Sequence, residues 1–171
     1  MWSRRRFIFV GAAGALAGGA VWIVPRIGRS GAVTRGPALV QKHGNMLRVV
    51  SAALLGSALP GDAPARAAEI ARVLSAAGML IDNLPPSTRS EVGDLFGLLA
   101  LKPARALLGY GGDWQDDNVP AVASFLYGLR DSSLALKQQA YFALHDMVLG
   151  SYYAEPSTWG ATGYPGPPKL A

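Results

Sequence analysis

Residues 132–153 read SSLALKQQAYFALHDMVLGSYY. Leu134, Tyr141, Leu144 and Val148 recur on one helical stripe, with Leu136, Ala140 and Met147 beside it. The spacing predicts a helix from about Ser132 to Tyr153, the longest in the chain and the spine of a bundle. The segments on either side of that spine set the fold.

Upstream, Met46, Leu47, Val49, Val50, Ala53, Leu54 and Leu55 predict a helix from Gly44 to Ala58, ended by Leu59-Pro60-Gly61-Asp62. Asp62 is placed to cap the next helix and Pro64 suits its first turn; its stripe runs from Ala67 to Ile81, and Leu84-Pro85-Pro86 stops it. Thr88 and Glu91 form a Thr-x-x-Glu capping box before Val92, Leu95, Phe96, Leu98 and Leu99. Lys102-Pro103 interrupts this third helix, and a short helix, Ala104 to Leu108, runs into the loop Gly109-Tyr110-Gly111-Gly112. Asn118 and Pro120 open a fifth helix with Val122, Phe125, Leu126 and Leu129 inward. Downstream of the spine, prolines and glycines from Glu155 to Pro168 predict an irregular strap that carries Trp159 and Tyr164. The expected fold is all-α, a compact bundle of about five to six helices with a Pro/Gly/aromatic C-terminal strap, preceded by an N-terminal signal helix.

The chain has 171 residues, 16 basic and 11 acidic. Arg4, Arg5, Arg6, Arg26 and Arg29 precede Val33, which leaves 11 basic against 11 acidic residues in the body. A neutral body with interspersed charges lacks the basic stripe that nucleic acid requires. The absence of cysteine excludes disulfides, thiolate metal sites and thioether-linked haem.

At the N-terminus, three arginines precede a charge-free run from Phe7 to Val24, and Pro25 closes it. This is the layout of an export signal. Residues 1–32 are read as the signal segment and 33–171 as one helical domain, with a processing point at Ser30-Gly31-Ala32 before Val33. An uncut leader of this length would serve as a membrane anchor.

No residue set in the body has the spacing of an active site. His145 and Asp146 are neighbours on a helix, so their side chains leave it about 100° apart. His43 and His145 lack an acidic i,i+4 partner for zinc. The acidic turn Asp113, Asp116, Asp117, Asn118 lacks the ligand alternation of an EF-hand and reads as solvated loop and cap. Gly109-x-Gly111-Gly112 lacks a following Lys-Ser/Thr and is a turn. Arg105, Arg130 and Lys137 read as solvated charges. No metal, catalytic residue or cofactor is expected on this chain.

Ser3-Arg4-Arg5-Arg6-Phe7-Ile8 resembles the twin-arginine translocation signal, Ser/Thr-Arg-Arg-x-Phe-Leu-Lys, with Phe9 in place of the Lys. Together with a cysteine-free helical body, Gly150-Ser151-Tyr152-Tyr153-Ala154-Glu155-Pro156 and Gly163-Tyr164-Pro165-Gly166-Pro167-Pro168 resemble the small subunit of bacterial FAD-dependent sugar and polyol dehydrogenases, among them those of sorbitol, fructose, glucose and gluconate. Leu55-Gly56-Ser57-Ala58-Leu59-Pro60 and Leu136-Lys137-Gln138-Gln139-Ala140-Tyr141 are similar to the sorbitol branch, and the tail is shorter than in the gluconate branch.

The resemblance implies a non-catalytic periplasmic subunit, membrane-associated through its complex. FAD and the catalytic base would lie on a large subunit of the glucose-methanol-choline type, with a multihaem cytochrome c as a possible third component. The small subunit would assist maturation of the large one and carry it through the twin-arginine translocase. Ser3, Arg4, Arg5 and Phe7 would then carry targeting, and Tyr152, Tyr153, Pro156, Trp159, Tyr164 and Pro165 would contact the large subunit. The competing expectations are a free-standing exported helical ligand-binding protein, a membrane-anchored structural protein, and an enzyme using Tyr141, His145 or the acidic loop.

Overall fold

The computed structural model describes residues 34–115 and 118–167. The targeting residues Ser3, Arg4, Arg5 and Phe7, the signal segment 1–32, and Asp116 and Asp117 lie outside them. Among the described residues there are seven α-helices and no strand: α1 Gly36–Lys42, α2 Gly44–Leu55, α3 Ala63–Asp82, α4 Pro86–Ala100, α5 Lys102–Leu108, α6 Val119–Arg130 and α7 Ala135–Tyr153. Short 3-10 helices follow α2 (Gly56–Ala58) and α7 (Pro156–Thr162).

The all-α bundle is therefore the fold. Its centre is α7 packed against α3, α6 and α2, while α2 also packs on α6 and α3. Leu47, Val49 and Val50 of α2, Val73 of α3, Val122 and Leu129 of α6, and Leu144 and Val148 of α7 have no exposed surface. Burial of each such side chain stabilises the fold by about 1.5–3 kcal/mol. Among the described residues no helix is long and apolar enough to cross a membrane.

Local chemistry moves several boundaries. Gly56 takes positive φ (48°), so α2 stops at Leu55 instead of running on to Ala58. Asp62 caps α3 as expected, accepting from the Ala65 N–H at 3.0 Å. The capping box at Thr88 does not form: Pro86 presets the helical φ, so α4 starts three residues earlier with Pro85 at its N-cap and Thr88 already inside. The spine begins at Ala135, because Ser132 Oγ accepts from the Leu134 N–H at 3.1 Å and holds a turn there. Leu134 is consequently 59% exposed and not part of the core stripe. The first half of the strap is helical, contrary to the expectation of irregularity: Pro156 fixes the first φ and Gly163 (φ 73°) ends the 3-10 turns.

α1 has no counterpart in the helices expected from periodicity. It crosses α3 where two glycines meet: a Cβ on Gly36 would overlap the Gly78 carbonyl oxygen, and one on Gly78 would lie 3.2 Å from Pro37 Cα. The Gly36 N–H donates to Asp82 Oδ1 at 2.6 Å. Arg89 stands beside Asp82 and donates to the Asp82 and Leu84 carbonyls at 2.6 and 3.2 Å, closing the end of α3. From this anchor α1 buries Leu39 and Val40, and His43 turns its ring edge to Phe96 at 5.7 Å.

Candidate partner interface

The residues expected to meet a partner gather where α7 gives way to the strap. Tyr152 faces inward: it is 5% exposed, and its hydroxyl donates to the Ala58 carbonyl at 2.9 Å. Burial raises its phenol pKa, so the proton that makes this bond is firmly held. Arg72 lies 5.9 Å over the Tyr152 ring, donates to the Tyr152 carbonyl at 3.3 Å and is held from α3 by Glu69 at 2.6 Å. The hydrogen bond from Arg72 to Glu69 raises the guanidinium pKa further. Tyr152 is thus an anchor of the bundle and presents almost no surface to another protein.

From that anchor the strap folds back on the helix end. The buried Thr158 hydroxyl donates to the Glu155 carbonyl at 2.7 Å and approaches that of Tyr152 at 3.3 Å. The Trp159 indole N–H donates to the Tyr153 carbonyl at 2.7 Å, and the Thr162 hydroxyl donates to the Trp159 carbonyl at 2.7 Å. Tyr164 packs edge-on to Trp159 with ring centres 5.3 Å apart. Gly166, at φ 96°, brings the chain so close to that indole that a Cβ would lie 3.4 Å from Cζ3. Half-buried Trp159 is the hub; Pro156, Pro165 and Tyr164 remain exposed around it, and Tyr153 is 37% exposed.

The outer face of α7 continues this surface. At 100° per residue, positions 142, 149 and 153 lie within about 40° of one another. Phe142 is 42% exposed and Leu149 is half-buried. The spine therefore carries apolar groups on both its inner and its outer side, which is unusual for a helix with one face in water. Gly150, on the same outer side, would meet nothing within 4 Å if given a Cβ. Tyr153, Tyr164 and Phe142 thus form a partly apolar surface of aromatic groups at this end of the bundle.

Two other expectations change. His145 Nδ1 and Asp146 Oδ1 are 2.9 Å apart, although their Cα–Cβ bonds diverge, because both side chains bend over the helix surface. The Tyr141 ring lies 5.3 Å from that of His145. Arg105 is no solvated charge: 4% exposed, it donates to the Gly112 carbonyl at 3.0 and 2.6 Å, to that of Ala100 at 3.1 Å and to Asp113 at 3.0 Å. Its guanidinium lies 5.9 and 5.5 Å from the Tyr110 and Trp114 rings. This side chain fastens the Gly109–Asp113 loop, whose glycines alone would make it a free turn. Among the described residues no group of three or more His, Asp or Glu side chains is placed to hold a metal ion.

No family model, curated protein or solved structure matches this chain.

Proposed function

We propose that this chain is the non-catalytic small subunit of a periplasmic FAD-dependent sugar or polyol dehydrogenase complex, exported by the twin-arginine route. Its partner is a large flavoprotein subunit, whose folding and FAD loading it assists and which it accompanies across the membrane. Electrons leave that subunit through a multihaem cytochrome c where one is present. The observation that carries the reading is the aromatic surface at the end of α7. Tyr153, Trp159 and Tyr164 are held by main-chain hydrogen bonds and ring packing, yet Tyr153 and Tyr164 stay exposed. Aromatic groups with few rotamers that are fixed before binding lose little entropy on docking, which favours a long-lived interface.

The leader residues Ser3, Arg4, Arg5 and Phe7 support export, and Pro156 and Pro165 frame the docking surface. The test is isolation of the tagged chain from cells that express its genomic neighbours, with the product scanned for flavin absorbance. A stoichiometric flavoprotein oxidising a sugar or polyol is expected; a colourless monomer from the same cells refutes the reading.

A further inference from the structure

An open cleft of about 690 Å³ is lined by Gly109, Tyr110, Gly112 and Asn118, by α6 and by the first turn of α7. Half-buried Leu108 supplies its apolar lining, together with the edges of the buried Tyr110 and Phe125 rings, packed 5.3 Å apart. Arg105 holds this wall in place from behind, through the Gly112 carbonyl.

Two features of the lining have no account in the fold. Gly128 lies inside α6, where glycine is destabilising relative to alanine. A Cβ there would meet nothing within 4 Å, so no packing demands the glycine, and its bare backbone forms part of the cleft wall. The second is Lys137. The polar groups around it are engaged: the Asn118 amide donates to the Asp113 carbonyl at 3.0 Å and the Ser124 hydroxyl to that of Pro120 at 3.1 Å. Lys102 and Arg105 share Asp113 at 3.3 and 3.0 Å. The Lys137 ammonium, half-buried in the lining, has no hydrogen bond or ion pair among the described residues.

We propose that this cleft binds a small organic acid, with its apolar or aromatic body over Leu108 and the bare Gly128 backbone, against the edges of Tyr110 and Phe125, and its anionic group on Lys137. Gly128 leaves the space for the ligand body. The site is separate from the aromatic surface at the end of α7 and does not depend on the subunit reading.

The test uses the whole chain as isolated from cells, with 4-fluorobenzoate and its neutral counterpart 4-fluorobenzamide as probes observed by fluorine NMR. The acid is expected to bind about fivefold more tightly than the amide, the size of one partly screened charge contact. Lys137→Met removes that preference while leaving amide binding in place. Gly128→Leu fills the cleft and abolishes binding of both, while Gly128→Ala raises the thermal midpoint by about 2–4 °C through helix propensity. A Gly128→Leu chain that retains its thermal midpoint but still binds both probes overturns the proposal. So does equal binding of acid and amide to the unaltered chain, which means that the Lys137 ammonium takes no part in recognition.

Discussion

Replacing Gly36 by alanine tests the crossing of α1 and α3 at its tightest point. The added Cβ overlaps the Gly78 carbonyl oxygen and lies 2.9 Å from Ile81 Cβ and 3.0 Å from the Asp82 nitrogen. Two of these three atoms belong to the α3 backbone, which is fixed by its own hydrogen bonds, so α1 is the element that moves. Overpacking of this kind costs about 1–3 kcal/mol. The displacement also stretches the 2.6 Å bond from the Gly36 N–H to the Asp82 carboxylate, and a hydrogen bond to a charged group contributes about 1.5–3 kcal/mol. Local undocking of α1 sets the ceiling, because release of Leu39 and Val40 forfeits about 1.5–3 kcal/mol apiece. A loss of about 3 kcal/mol is expected, or roughly 6–12 °C in thermal midpoint for a domain of this size. Urea denaturation gives the loss, and hydrogen exchange across residues 36–43 shows whether α1 opens first. Gly97→Ala is the control, since its Cβ meets nothing within 4 Å. A Gly36→Ala variant within about 0.5 kcal/mol of the parent, on the usual scale of surface substitutions, refutes the crossing.

The His43 pKa is lowered, first by burial and then by Lys42. Its contribution is therefore complete above the ordinary pKa near 6.5 and is lost as pH falls through the depressed folded value. The thermal midpoint should decline between about pH 7 and pH 5, and His43→Phe, which still packs on Phe96, should flatten that decline. Arg105→Met keeps the apolar stem but strands the Gly112 and Ala100 carbonyls; chemical denaturation should register a loss of about 2–4 kcal/mol. Ser51 and Ser151 bury hydroxyls without a partner among the described residues, so Ser51→Ala and Ser151→Ala should leave stability unchanged or raise it by up to about 1 kcal/mol. If the proposed flavoprotein partner docks on this surface, Tyr153→Ala with Tyr164→Ala should weaken its capture by about 2–4 kcal/mol while changing the thermal midpoint little.

Helical periodicity made α2, α3, α6 and α7 legible, because each buries one continuous stripe, and Asp62 announced its own cap. The box at Thr88 misled because Pro86 fixes backbone geometry more strongly than a side-chain hydrogen bond does. α1 stayed hidden because its defining interaction joins Gly36 to Gly78 and Asp82, residues more than forty positions away. Arg105 escaped for a related reason. Its burial depends on Gly112 folding back to offer a carbonyl, which no spacing rule encodes. At the candidate interface, sequence pointed to the segment at the end of α7 but did not sort its aromatics. Tyr152 and Tyr153 are adjacent and chemically identical; helical phase puts Tyr152 on the stripe of Tyr141, Leu144 and Val148, and the Ala58 carbonyl that receives its hydroxyl is visible only in the fold.

That bond between Tyr152 and Ala58 spans 94 positions of the chain, and it orders events during synthesis. Helices α2, α3 and α6 each leave an apolar seam that α7 closes. Until residue 153 and the turns beyond it have been added, α2 can pack on α3 and α6, but the seam that α7 fills stays open to water. A delay in docking of α7 prolongs that exposure, and chaperones gain their opportunity in this interval.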